Sequence, residues 1–127
     1  MGQLLLLCRD GDFAPMHQAV SAASAALASG GGVRLVLFHA ALERVLDGAL
    51  DQVEAASYRE QLESGRVRPV SEALDRARKD GLGLFACSAS VALLGRDATT
   101  IGPFVDEVVG WPTILRWMDD AEHVLSL

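Results

Sequence analysis

The sequence predicts a three-layer α/β/α sandwich around a parallel five-stranded sheet, on three grounds. Its strand-like segments are short, nearly unbroken apolar runs, the pattern of strands buried on both faces. Stretches with helical spacing of apolar residues separate these runs, and Gly or Pro marks most of the changeovers. Strands alternating with helices need crossover connections, nearly always right-handed, which lay helices on both faces of a parallel sheet. The expected arrangement is flavodoxin-like.

Residues 3–8 form the first apolar run, which passes into the turn-forming Arg9-Asp10-Gly11-Asp12. From Pro15, Met16, Val20, Ala23 and Leu27 recur at helical spacing until Gly30-Gly31-Gly32 ends the helix. Residues 33–38 are the second strand, closed by His39. Residues 40–51 are helix-like, with Leu42, Val45, Leu46 and Leu50 on one side, whereas 52–68 are charged and sparsely apolar. The stretch 47–68 reads as an exposed helical excursion or flexible loop. After Pro69, Val70, Leu74 and Ala77 mark the buried stripe of a helix stopped by Gly81. Residues 82–86 are the third strand, Cys87 to Leu94 a short helix, 106–109 the fourth strand, 112–119 a helix and 123–127 the fifth strand.

A chain of 127 residues makes one domain, spanning 1–127. Half of it is hydrophobic and its mean hydropathy is +0.25, enough apolar content to exclude disorder as the dominant state. Eleven Lys and Arg against seventeen Asp and Glu leave a net charge of −6, which repels phosphate backbones and argues against nucleic-acid binding. The first apolar run is too short for a signal peptide or a membrane span, and Leu6 stands where a myristoylation signal needs Ser or Thr. A cytoplasmic protein with no membrane association is expected, and two cysteines in that reducing compartment read as thiols.

In an open parallel sheet, functional groups gather in the loops beyond the carboxyl ends of the strands. Applied here, that rule brings Cys8, His39, Cys87 and Trp111 to one edge. Cys87 is the leading candidate, because a strand-to-helix corner favours a thiolate, and so a nucleophile, over a small buried apolar residue. Ser88 and Ser90 follow it in the same helix start. Cys8 shares the strand-end location without an immediate helix, and inert packing is its simpler reading. If strands 1 and 3 are neighbours, as in flavodoxin-like order, the two sulfurs share one crevice and His39 lies on the next strand out. His39 could exchange a proton with a thiol, or simply hydrogen-bond a loop; His17 reads as a surface or loop-packing residue.

Other motifs fail. Asp10-Gly11-Asp12 starts like a calcium loop, but Ser21 occupies the position that needs an acid. The glycine triplet follows a helix rather than a strand, and no P-loop or Gly-x-Ser-x-Gly elbow is present. A zinc site from Cys8, His39 and Cys87 lacks any close Cys-x-x-Cys or His-x-x-x-His pair, so neither metal nor cofactor is expected.

Phe85-Ala86-Cys87-Ser88-Ala89-Ser90 followed by Gly95, then Val105-Asp106-Glu107-Val108-Val109-Gly110, Leu115 to Met118 and His123-Val124-Leu125, resembles the DsrE/DsrF-like (DsrEFH) sulfur-relay superfamily. The closest likeness is to its small, peroxiredoxin-labelled branch, although the chain lacks the Thr-x-x-Cys motif of true peroxidases. The resemblance implies a three-layer α/β fold, a homo-oligomer such as a trimer or hexamer, and a persulfide on the motif cysteine. Only Cys87 falls on that motif; Cys8 matches no position of it. Partners would be sulfur-donor and sulfur-acceptor proteins, rhodanese-like or TusA-like. Relay subunits often carry Arg-Gly after the cysteine helix, where this chain has Leu94-Gly95-Arg96.

The expected function is therefore a sulfur carrier or sulfurtransferase-like protein. The alternatives are a non-catalytic binding or assembly module and a Cys8/Cys87 thiol-disulfide switch. Ile114, Leu115, Trp117 and Met118, with Trp111 and Phe104 nearby, exceed what one face of a short helix needs and suggest an interface.

Overall fold

A computed structural model describes residues 2–127. Its strands are β1 (Gln3–Cys8), β2 (Gly32–Leu37), β3 (Gly83–Cys87), β4 (Glu107–Val109) and β5 (His123–Ser126). Helix α1 (Phe13–Ala28) joins β1 to β2; α2 (His39–Leu46), α3 (Ala56–Glu63) and α4 (Val70–Lys79) lie between β2 and β3. Helices α5 (Ser88–Leu93) and α6 (Ala98–Ile101) precede β4, and α7 (Trp111–Asp120) precedes β5. All five strands are parallel, in the order β4-β3-β2-β1-β5, and helices cover both faces as in flavodoxin-like sandwiches.

Within that architecture, one expectation about neighbours is overturned: β2 lies between β1 and β3. The reason is the direction of the crossovers. From β1 to β4 every connection steps the same way across the sheet, and only the last one, β4 to β5, returns past the start to pair with β1. A right-handed crossover that steps one way puts its helix on one face; the reverse step puts it on the other. Thus α1, α2, α4 and α5 pack on one face, over Leu4, Leu6, Val33, Leu35, Leu37 and Leu84, while α7 stands on the opposite one.

The first face holds the main core, with Leu6, Leu35 and Leu84 fully buried beneath Met16, Leu42 and Leu74. The second is a smaller cluster of Leu5, Val36, Phe38, Cys87, Val109 and Ile114. At its margin Trp117 packs on Phe85, with ring centroids 4.6 Å apart, and the Arg34 guanidinium sits 4.5 Å over the Trp117 ring. Around α7 and β5, Trp111, Leu115, Met118, Val124 and Leu125 remain exposed.

Helix α2 stops at Leu46, short of the expected 51, because Gly48 turns the chain at φ 64°. In the 47–68 excursion α3 buries none of its residues, and Tyr58 touches the body at Phe13, with centroids 6.1 Å apart. Helix α6 was not expected. Its four residues are too few to show a period, yet Asp97 caps it by accepting from the Thr99 amide, and Ile101 is fully buried. The Asp106 carboxylate accepts from the Leu84 amide (2.8 Å) and from Arg78 Nη2 (2.9 Å), which pins the chain entering β4 beside β3.

Candidate functional site

Strand ends deliver the expected groups to the carboxyl edge. Cys8 is the last residue of β1, Cys87 the last of β3, His39 opens α2 immediately beyond β2, and Trp111 opens α7 after β4. Parity along each strand then sorts them between faces.

Cys8 falls on the α1 face with Leu4 and Leu6 and is fully buried. Its Sγ lies 3.5 Å from Met16 Sδ and 3.7 Å from the Asp10 carbonyl oxygen. Burial, reinforced by the Asp10 carboxylate, pushes its pKa up to about 11. At neutral pH only about one molecule in ten thousand carries that thiolate.

Cys87 falls on the α7 face, 1% exposed, in one cluster with Phe38, Val109 and Ile114. It is the N-cap of α5, with extended backbone angles (φ −72°, ψ 127°). Ser88, next to it, is exposed, and its Oγ lies beside Gly110. Ser90 is fully buried, and its Oγ is 3.3 Å from His39 Nδ1.

The two thiols therefore do not share a crevice, which corrects the geometry on which the disulfide switch depended. Cys8 pairs in register with Leu37, and Leu37 with Ala86, so β2 separates the cysteine strands. Two strand spacings alone place their Cα atoms at least about 9.5 Å apart, beyond the reach of a disulfide at about 4.4–6.8 Å. Their side chains also leave opposite faces of the sheet. The same separation prevents Cys8, His39 and Cys87 from holding one metal ion, and the described residues contain no cluster of three or more His, Cys, Asp or Glu side chains placed for one.

His39 is the only non-glycine among the described residues with a positive φ, 42°. That conformation costs roughly 1–2 kcal/mol in an L-residue and needs support from its surroundings. Support comes from Phe38 just before it, whose amide donates to the Cys8 carbonyl (2.9 Å) and whose carbonyl accepts from the Ala41 amide (3.0 Å). The loop after β1 closes tightly against this turn, since a Cβ on Gly11 would come within 2.6 Å of the Ala40 carbonyl oxygen. His17 lies elsewhere, stacked on Phe13 at 5.7 Å.

Beside His39 a shallow cavity of about 250 Å³ is lined by Leu7, Arg9, Phe38, His39, Trp111 and Ser126. Trp111 leans on Phe38 with centroids 5.5 Å apart, and Phe38 in turn packs in the cluster that contains Cys87. Sequence reasoning missed Arg9, Phe38 and Ser126. Arg9 and Phe38 flank strand-end residues and were open to the same edge rule; Ser126 joins them only because β5 pairs with β1.

No family model matches the chain, and no curated protein does. Among solved structures it is similar to the protein of unknown function MTH1491 from Methanobacterium thermoautotrophicum, with 14% identity and a TM-score of 0.68 over 98% of this chain and 99% of that one. At that identity the likeness is one of fold.

Proposed function

We propose that the chain is a single-thiol sulfur carrier, a sulfurtransferase-like protein that holds a persulfide on Cys87. The observation that carries this reading is the unequal placement of its two thiols. Cys87 ends β3 and caps α5 at the carboxyl edge, whereas Cys8 is shut into the α1 core and held protonated. The resemblance of residues 85–90 to the sulfur-relay motif points to the same cysteine.

Chemically, the Cys87 thiolate attacks the outer sulfur of a donor persulfide. A new S–S bond forms at Cys87, the donor S–S bond breaks, and the donor leaves as a thiolate. An acceptor thiolate then attacks the outer sulfur of the Cys87 persulfide and regenerates Cys87, so no external oxidant or reductant is consumed. Because Cys87 is only 1% exposed, the cluster it shares with Phe38, Val109 and Ile114 must open before a partner sulfur reaches it. Rhodanese-like or TusA-like proteins are the donors and acceptors this reading implies, in the cytoplasm. No helix among the described residues is long and apolar enough to cross a membrane.

Incubation with polysulfide followed by intact mass measurement tests the proposal. Wild-type protein should gain about 32 Da per sulfur atom, and Cys87→Ser should gain nothing. An adduct that persists in Cys87→Ser, or none in the wild type, overturns it.

A second reading, an assembly module, draws on the apolar surface around α7, where Leu115 is 54% and Trp111 45% exposed. It predicts a homo-oligomer, a trimer or hexamer, which the carrier would share. Light scattering that returns a stable mass near 13.5 kDa at micromolar concentration excludes it.

A further inference from the structure

The carrier reading leaves the cavity beside His39 without a role. The chain carries a net charge of −6, yet the ionisable side chains that line the cavity are Arg9 and His39, with no carboxylate. Among the described residues the Arg9 guanidinium has no acidic group within 4.0 Å, although four other arginines do. The His39 ring is oriented by Ser90, whose buried hydroxyl engages Nδ1, while Nε2 has no partner among the described residues. The rest of the lining is largely flat or apolar: Trp111, packed on Phe38, and Leu7.

We infer that this cavity binds a small organic anion with one flat ring, its carboxylate toward Arg9 and His39 and its ring against Trp111 and Phe38. A guanidinium and an imidazole N–H are charge-complementary donors for a carboxylate, and an aromatic pair is the matching surface for a planar body. Size sets the upper bound. At about 250 Å³ the space falls just under the range of about 300–1,000 Å³ typical of drug-sized ligands, which leaves room for a single ring. Ser126 supplies a hydroxyl at the rim for a ring substituent. This inference is independent of Cys87 chemistry, because no step of it uses the thiol.

Calorimetric titration with benzoate is the test, with benzamide as the neutral isostere and acetate as the anion without a ring. Wild-type protein should bind benzoate saturably in the millimolar range, and both controls at least about tenfold more weakly, the effect of one lost charge-assisted hydrogen bond or of the ring contact. Arg9→Gln and His39→Gln should weaken benzoate to a similar degree while circular dichroism stays native. Cys87→Ser should bind as the wild type does, so a failure of sulfur loading and a failure of anion binding are read separately. Equal binding of benzamide and benzoate, wild-type affinity in Arg9→Gln, or no saturation up to the tens of millimolar overturns the inference.

Discussion

The two faces of the sheet are made from the same strands and serve different ends. One carries α1, α2, α4 and α5 over a continuous core in which Leu6, Leu35, Leu84 and Cys8 are fully buried. The other carries α7 alone, in a cluster of six buried residues that includes the helix's own Ile114, and leaves Leu115, Trp111 and Leu125 exposed around it. Each face holds one cysteine. The thick face converts its thiol into a packing group with a raised pKa, and the thin face packs its thiol in one cluster with Phe38, which also lines the carboxyl-edge cavity. Strand parity thus decides which helices cover a strand-end cysteine, and that cover decides what the thiol can become.

The largest expected difference between the faces is in stability. Leu6→Ala or Leu35→Ala should lower unfolding free energy in urea by about 2–5 kcal/mol, since each removes a fully buried side chain from a site walled by helices. If either change costs under about 1 kcal/mol, the thick face is not the core described above.

Alkaline pH separates the faces next. The Cys8 thiol is protonated in both folded and unfolded chains well below pH 9, so its contribution is constant there. Between its unfolded value of 9.0 and its folded value of about 11, the unfolded state ionises first and stability falls as pH rises. The destabilisation caused by Cys8→Ala at pH 8 should therefore shrink as pH rises towards 11, by about 2–3 kcal/mol at most, for a shift from 9.0 to about 11 at about 1.4 kcal/mol per unit. A penalty that stays constant with pH would mean that Cys8 is not held protonated by the fold.

Thiol reactivity is a finer measure. With iodoacetamide at pH 7, Cys87 should label at least about tenfold faster than Cys8, and Trp111→Ala should accelerate Cys87 while leaving Cys8 unchanged. Preferential labelling of Cys8 would reverse the assignment of the two faces. The smallest effect belongs to the thin face: Leu115→Ala, at a position 54% exposed, should change monomer stability by no more than about 0.5 kcal/mol. A larger loss that depends on protein concentration would show that a partner covers this helix.

All five strands were legible in the sequence, within a residue or two at each end, because an apolar run bounded by turn residues is a property of neighbouring residues. So was the arrival of Cys8, His39, Cys87 and Trp111 at one edge, which needs only strand polarity in a parallel sheet. The His39–Ser90 contact spans 51 positions and could not be read, since it depends on α2 and α5 meeting above the sheet. Helix α6 was invisible for another reason: four residues held by the Asp97 cap and by burial of Ile101 leave no periodic trace.

By themselves, consecutive residues determined the strands, the long helices, the parallel sense of the sheet and the edge at which chemistry gathers. Periodicity, caps and breakers act over a few residues, and the handedness of crossovers holds for any such chain. Tertiary structure alone decided the strand order, and with it the separation of Cys8 from Cys87, the solitary position of α7, and the meeting of Ser126 with Arg9 and His39. Which crossover reverses direction depends on how whole helices compete for the two faces, a difference in packing free energy summed over distant residues, and no local pattern encodes it.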